Sequence, residues 1–341
     1  MDIEGTITSG GTVYAMNASF PDRETIHTVL SLATRAPSIH NSQPWRWRVD
    51  AQSLHLYADP ERQLASADPD CRDLLLSCGA ALHHALVALA ALGWQAKVHR
   101  LPNPAEPEHL AAIEVYPQPA NELDVALAAA IPNRRTDRRL YNGWCVPDAD
   151  IALMGARAAR AGVMLRQVAL LPKLQRIVAQ AVRQHAIDHD YLTELATWSG
   201  RYASLAGVPA RNTPLPDPTA PIPGRRFAGT ALAQPPDVSV DEDAAVVLAL
   251  GTKDDSALAR LRAGEATSLV LLTATAVGLA SCPVTEPLEI AHTREAVKSE
   301  VFGTSGFPQM LLRIGWAPVN ADPLPSTPRR PLSDVVEWLD D

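Results

Sequence analysis

Cysteine is scarce and unpatterned in this 341-residue chain: Cys71, Cys78, Cys145 and Cys282 form no CxxC pair and show no metal-type spacing with histidine. Zinc and dithiol chemistry are thereby disfavoured, and the four thiols are expected to be reduced and to pack as small apolar side chains. No GxGxxG, Walker motif or HExxH occurs, and no GxSxG sits at a strand–helix turn, which removes dinucleotide-fold, P-loop, zinc-protease and serine-hydrolase readings. Positive charge is not in excess either. A net charge of −8 argues against a general nucleic-acid binder, whose affinity rests on surplus Lys and Arg. The longest apolar stretch, "LLLSCGAALHHALVALAALGW", is interrupted by His83 and His84, which are costly in a lipid-facing helix. The N-terminus has no basic n-region. The expectation is a cytoplasmic protein without membrane or nucleic-acid partners, in which residues 1–20 form a poorly ordered leader and Met16 is an alternative start.

What is present is a globular composition, 47% hydrophobic and 20% charged, of a length that suggests two domain-sized units. Two long apolar helices resemble each other: "CGAALHHALVALAALGW" (Cys78 to Trp94) and "AGEATSLVLLTATAVGL" (Ala263 to Leu279). Gly79 to Gly93 and Gly264 to Gly278 enclose the same interval of 14 residues, and each helix precedes an alternating strand, "LAAIEVY" or "QMLLRIGW". Helices apolar nearly all round belong in the interior. An internal duplication follows, with one half over about 21–125 and the other over 126–341. The first half reads as a helix from "DRETIHTVLSLAT", strands "WRWRV" and "LHLYA", helix 70–93, then strands "AKVHRL" and "AAIEVY". The second reads as helix 147–161, strand "VMLRQVA", helix 172–190, strand "AAVVLALGT", helices 256–280 and 286–300, and strand "QMLLRIG". Hairpin-like strand neighbours with interleaved helices indicate an α+β fold whose central sheets are flanked by helices.

The second half is lengthened by an insertion over about 191–240 that carries Pro209, Pro214, Pro216, Pro218, Pro221, Pro223, Pro235 and Pro236. So many prolines preclude helix and donate few amides to a sheet. The segment is either a linker or an ordered excursion over a site, and "TWSGRY" with Arg225, Arg226 and Phe227 favours an ordered lid.

Four short stretches carry chemistry. "RAPSIHNSQPW" (35–45) packs two prolines and five hydrogen-bonding side chains between a helix and a strand. In "IPNRRTDRRLY" (131–141), Arg134, Thr136 and Arg138 alternate and share one side of an extended segment, where guanidinium groups suit anions; a solvated basic turn is the plainer alternative. "TPRRPLSDVVEW" places Arg329 and Arg330 before an expected C-terminal helix whose N-terminal amides could join a phosphate site. "VGLASCPVTEPLE" ends a helix in a proline-bracketed turn around Thr285 and Glu286.

These stretches, as "RAPSIHNSQPW", "RRTDRRLY", "AVGLASCPVTE" and "RRPLSDVV", resemble the flavin-dependent nitroreductase superfamily and, within it, the duplicated single-chain Acg type of NAD(P)H nitroreductase. The resemblance implies a nitroreductase-like fold and an FMN site built across two subunits or, here, two halves. It implies phosphate and ribityl contacts from Arg134, Thr136, Arg138 and Arg330, with Arg135 and Arg329 beside them. It implies ring-edge contacts from Pro37, Ser38, Ile39, His40 and Asn41, and contacts near the reactive edge from Pro283, Val284, Thr285 and Glu286. The first half has the "APSIHN" loop and no arginine motif, and the second half the reverse, so one chain is expected to mimic a dimer and hold one FMN site, alone or as a homodimer. NADH or NADPH would be the reductant, a nitroaromatic or quinone the small-molecule acceptor, with no side chain required as a proton-transfer catalyst. Three features depart from the pattern: Thr136 for serine, Glu286 for glycine, and the insertion. The insertion leaves open a second possibility, a catalytically silent flavin-binding protein for storage, sequestration or sensing.

Overall fold

The computed structural model describes residues 20–339 except 170, 201–203, 218, 221 and 237. The expected leader, apart from Phe20, and the Arg201–Tyr202 part of "TWSGRY" lie outside the described residues.

Helix α1 (Arg23–Ala33) begins where the Asp22 side chain accepts a hydrogen bond from Thr25 N at 2.8 Å, and it buries Ile26, Val29, Leu30 and Ala33 along one face. Strand β1 (Trp45–Val49) alternates, with Trp45, Trp47 and Val49 inside and Arg46 and Arg48 outside. It pairs antiparallel with β2 (Ser53–Ala58). After α2 (Arg72–Ala91), strands β3 (Trp94–Arg100) and β4 (His109–Pro117) complete one sheet. Beyond α3 (Glu122–Ala130), α4 (Asp148–Arg160), β5 (Met164–Gln167), α5 (Leu171–His185) and α6 (His189–Thr197), the chain reaches β6 (Val246–Thr252) and α7 (Ala257–Ala276). It closes through β7 (Ala280–Val284), α8 (Glu286–Glu289), α9 (Ala291–Val297), β8 (Phe307–Gly315) and β9 (Val336–Trp338). The sheet orders are β3-β4-β2-β1-β9 and β5-β6-β8-β7. All neighbours are antiparallel except β1 and β9, which are parallel.

Helices α2 and α7 cross at the centre. A Cβ on Gly79 would stand 2.1 Å from Leu261 O, and one on Gly264 would stand 2.1 Å from Leu76 O, so each glycine admits the other helix's backbone. Around this crossing several polar groups of α2 find partners on later elements of the chain. His83 and His84 both bond Ser268 Oγ, and Arg72 holds Asp255, Pro308 O and Gln309. Helix α2 is long and apolar enough to cross a membrane by length and composition, yet 72% of that window is buried inside the protein.

Several expected elements differ. Helix 172–190 is two helices, because Asp188 caps a new one at Tyr191 N. Helix 256–280 stops at Ala276, where Gly278 adopts φ +85° and "ASCPV" becomes the edge strand β7. Helix 286–300 is broken into α8, α9 and a π turn over Lys298–Phe302. The C-terminal helix is absent: Pro331 opens a 3-10 turn and "VEW" pairs with the free edge of β1. Helix α3 is not among the elements expected from the sequence; it starts in a reciprocal cap between Asn121 and Asp124 and spans the boundary expected near residue 125.

Candidate active site

The loop 35–43 contains a 3-10 turn, Ile39–Asn41, with three residues in the left-handed region: His40 (φ 44°), Asn41 (φ 54°) and Gln43 (φ 54°). Such backbone persists only where its surroundings over-determine it, and here they do. Gln43 N donates to Ser38 Oγ at 3.0 Å, Ile39 N donates to Ser77 Oγ of α2 at 3.1 Å, and Asn41 Nδ2 donates to Gly207 O and Pro328 O. The Arg329 guanidinium donates to Thr34 O, Arg35 O and Ala36 O, capping the end of α1, and to Asn41 Oδ1. Burial, together with Arg134, Arg35 and Arg135, pulls its pKa down to about 9. Most of the loop's hydrogen-bonding side chains therefore hold the loop itself.

Against this loop lies the arginine segment. Thr136 bridges Ser281 at the margin of β7, and Asp137 N donates to Ser281 O at 2.9 Å. The extended backbone turns Arg134, Thr136 and Arg138 into a groove. Asp137 faces away, where its carboxylate accepts two bonds from the Arg139 guanidinium and one from Arg139 N. The groove has two ends that share Pro37, Ser38, Thr136 and Arg138.

The basic end, about 240 Å³, is lined by Arg35, Asn41, Arg134, Arg135, Asn212 and Arg329 among others. Arg135 is spent on carbonyls of Pro132, Arg134 and Leu324. Arg134 is not spent: it is 6% exposed, and its Nε and Nη1 are buried without a partner. Burial and the cations Arg135, Arg138 and Arg35 push it down to about 10, with no carboxylate among these influences. A buried guanidinium in this state calls for an anion.

The other end, about 130 Å³, is framed by Pro37 to His40, by Asp73, Leu76 and Ser77 of α2, by Cys282 to Glu286, by Met310 and Arg313 of β8, and by Ile222 to Arg225 and Phe227 of the insertion. Arg225 enters it from the insertion. Its guanidinium donates to His40 Nε2, to Thr285 Oγ1 at 3.1 Å and to Glu289. Burial opposes its charge, but Glu289, Tyr191 and Glu286 outweigh burial and hold it cationic. His40 is the converse: burial, then Arg225, keeps the imidazole neutral, with its hydrogen on an unpartnered Nδ1. Phe227 meets His40 edge-on at 5.7 Å and lies 4.8 Å beneath the Arg138 guanidinium. Glu286, which replaces the expected glycine, is buried and held by His185 Nδ1 at 3.3 Å.

The structure thus gathers Pro37, Ser38, Ile39, His40, Thr136, Arg138, Pro283, Val284, Thr285 and Glu286 at one end, and Arg134, Arg135 and Arg329 at the other. Two placements change. Asn41 belongs to the basic end and not to the ring edge, because its amide is tied to Gly207, Pro328 and Arg329. Arg330 is outside the groove: it reaches Asp59 and Asp334 O on the far side of the loop, and no helix follows it to lend amides. Arg35, Asp73, Arg225 and Arg313 were not foreseen. Arg35 directly precedes the "APS" motif, and Arg225 reads in the sequence only as a sign of order in the insertion. Arg313 is a lone charge in an apolar strand, whereas Asp73 follows Asp70 and Arg72 and is not distinguished from them by sequence.

A groove with a cationic pocket at one end and a proline-, methionine- and aliphatic-lined slot at the other suits a planar ring carrying a phosphate. No family model matches the chain. It is 67% identical over 324 residues to a Mycobacterium tuberculosis H37Rv protein named "Putative NAD(P)H nitroreductase Rv3131", covering 95% of this chain and 94% of that one. It is 36% identical over 319 residues to "Putative NAD(P)H nitroreductase acg" of the same organism, covering 92% and 95%. Among solved structures, the FMN-dependent nitroreductase NfnB from Mycobacterium smegmatis in complex with NADPH aligns with 63% of this chain and 99% of its own, at TM-score 0.40 and 17% identity. A Bacteroides fragilis nitroreductase with bound FMN aligns with 60% and 92%, at TM-score 0.38 and 15% identity. On the strength of its near-full-length relatives, the chain belongs to the Acg-type NAD(P)H nitroreductase family.

Proposed function

We propose that this protein is an FMN-binding oxidoreductase that draws on NADH or NADPH and delivers electrons to a small nitroaromatic or quinone-like acceptor. The observation that carries the reading is Arg134, a buried guanidinium with two unpartnered donors beside Arg35, Arg135 and Arg138. The donor set fits a phosphate: Arg134 and Arg35 supply charge, Thr136 a hydroxyl, and no carboxylate lines that end of the groove. The slot beyond it fits a planar ring, with Pro37, Ile39, Leu76, Pro283 and Val284 as apolar walls. Bound there, the flavin would supply hydride acceptance from a nicotinamide and two-electron return to the acceptor. The chain's own share is positioning and charge. Arg138, half-buried and paired with no carboxylate, stands at the junction of the two ends, where it would favour negative charge on whatever occupies the slot.

On this reading the two sheets are halves of one pseudo-dimer that together make one site, and the insertion is a lid. Arg225 supports the lid, since it ties the insertion to His40, Thr285 and Glu289 across the slot. The same contact favours a second reading, flavin storage or sequestration without turnover, because it stands where a nicotinamide or acceptor would approach. Purified protein should be yellow, or become so with FMN; protein that stays colourless refutes both. Anaerobic mixing of the yellow form with NADH and with NADPH separates the two: bleaching of flavin absorbance by either supports turnover, and none by both supports storage.

A further inference from the structure

The acid at the N-terminal turn of α2 has no task in the fold. Asp73 is 7% exposed and lines the slot, and its carboxyl makes no hydrogen bond to any described residue. Its neighbours do not neutralise it. The acids that act on it are Asp68, whose carboxylate accepts from Asp73 N and Leu74 N, and Glu289; Glu286 faces the same slot. The cations within influence are committed elsewhere: Arg72 to Asp255 and Arg225 to Glu289. Arg313, which also lines the slot, is paired with Asp243, Arg138 is held by Asn212 O and the Phe227 ring, and His40 is neutral. An ionised Asp73 would be a buried, unpaired anion among anions, so the group is stable there only as the neutral acid, which has one O–H to donate.

We propose that Asp73 is a protonated ligand-recognition residue, whose carboxylic O–H donates a hydrogen bond to an acceptor atom (a carbonyl oxygen or an unprotonated ring nitrogen) of the planar heteroaromatic ring that enters the slot. This deepens the FMN reading and rests on it. Proton and ligand are linked: the ring binds the protonated site, so affinity weakens as pH rises through the titration of Asp73. Burial, then Asp68 and Glu289, raise that titration well above the ordinary carboxylate range.

The test is FMN binding to flavin-free full-length protein, followed by quenching of flavin fluorescence from about pH 5 to about pH 9, for wild type, D73N and D73L. Wild type should lose about tenfold in affinity or more as pH rises, the value of one charge-free hydrogen bond to a buried acceptor. D73N keeps a donor that does not titrate, so its affinity should be flat with pH, and D73L should be weak throughout. A second readout needs no flavin. A carboxyl whose folded pKa lies above its unfolded value contributes stability that is present at low pH and lost as pH rises. The thermal midpoint of D73N should therefore fall less steeply than that of wild type between about pH 4 and pH 8. Equal pH slopes for wild type and D73N, in binding or in unfolding, overturn the proposal and leave the FMN reading intact. No FMN binding by wild type at any pH overturns both.

Discussion

At the scale of single residues, Arg134 and Arg329 show that arginines in one place can serve opposite ends. Both guanidinium groups line the same end of the groove, and loss of solvent lowers both pKa values. Arg329 spends its donors on the carbonyls that end α1 and on Asn41, whereas Arg134 keeps Nε and Nη1 free. The two substitutions should therefore separate. Arg134→Ala removes a buried, unpaired charge, so the thermal midpoint should hold or rise while FMN retention through gel filtration is lost; retention equal to wild type would remove Arg134 from the site. Arg329→Ala leaves three carbonyls and Asn41 Oδ1 without their donor and should destabilise by roughly 2–4 kcal/mol in chemical unfolding. The sequence announces both as members of arginine runs and cannot rank them. Their partners are carbonyls and cations up to about 295 positions away in the chain, as Arg329 to Thr34 illustrates. The same holds for Arg330, whose guanidinium is drawn to Gln43 O, to Asp59 and to Asp334 O.

At the scale of elements, what the sequence makes legible is what local periodicity and backbone permissiveness determine. The matched glycines of α2 and α7 are readable, and they have two causes: at the crossing Gly79 and Gly264 each accept the other helix's backbone, and just past the helix ends Gly93 and Gly278 take a positive φ. Gly79→Ala or Gly264→Ala should destabilise by about 2–3 kcal/mol, because a methyl placed 2.1 Å from a carbonyl oxygen forces two rigid helices apart. Chemical unfolding midpoints measure this, and a change under about 0.5 kcal/mol would mean the helices do not touch there. Elements set by distant pairing were not legible. "ASCPV" and "VEW" are short, and each becomes a strand only because β8 or β1 offers a free edge. The C-terminal "VEW" looked helical because the run after Pro331 carries a helix-start signal; the edge of β1 overrides it.

For the whole molecule, the two sheets and their helices are stitched together by groups distant in the chain. Arg72 of α2 reaches Asp255 and β8, Arg100 of β3 makes a bidentate pair with Glu265 of α7, and β9, from the end of the described chain, joins the first sheet. Among the contacts that fasten the insertion over this frame are those of Asn41 and Gln43 to Gly207 and Leu205, and those of Arg225 to Glu289, Thr285 and His40. The Arg225 contacts lie at the slot. Glu289 has its carboxylate almost fully buried, so Arg225→Ala alone would strand it and mix a stability loss with any effect on access. The informative variant is Arg225→Met with Glu289→Gln, which removes the ion pair while keeping volume and a neutral polar group. If the insertion is a lid latched by this pair, FMN should leave the double variant at least about tenfold faster in a competition chase, as expected from loss of a buried charge-assisted contact worth about 1.5–3 kcal/mol. The thermal midpoint of the flavin-free protein should change little. A dissociation rate within about twofold of wild type, with the fold intact, would show that ligand exchange proceeds through the basic end of the groove and that the Arg225 contact does not gate it.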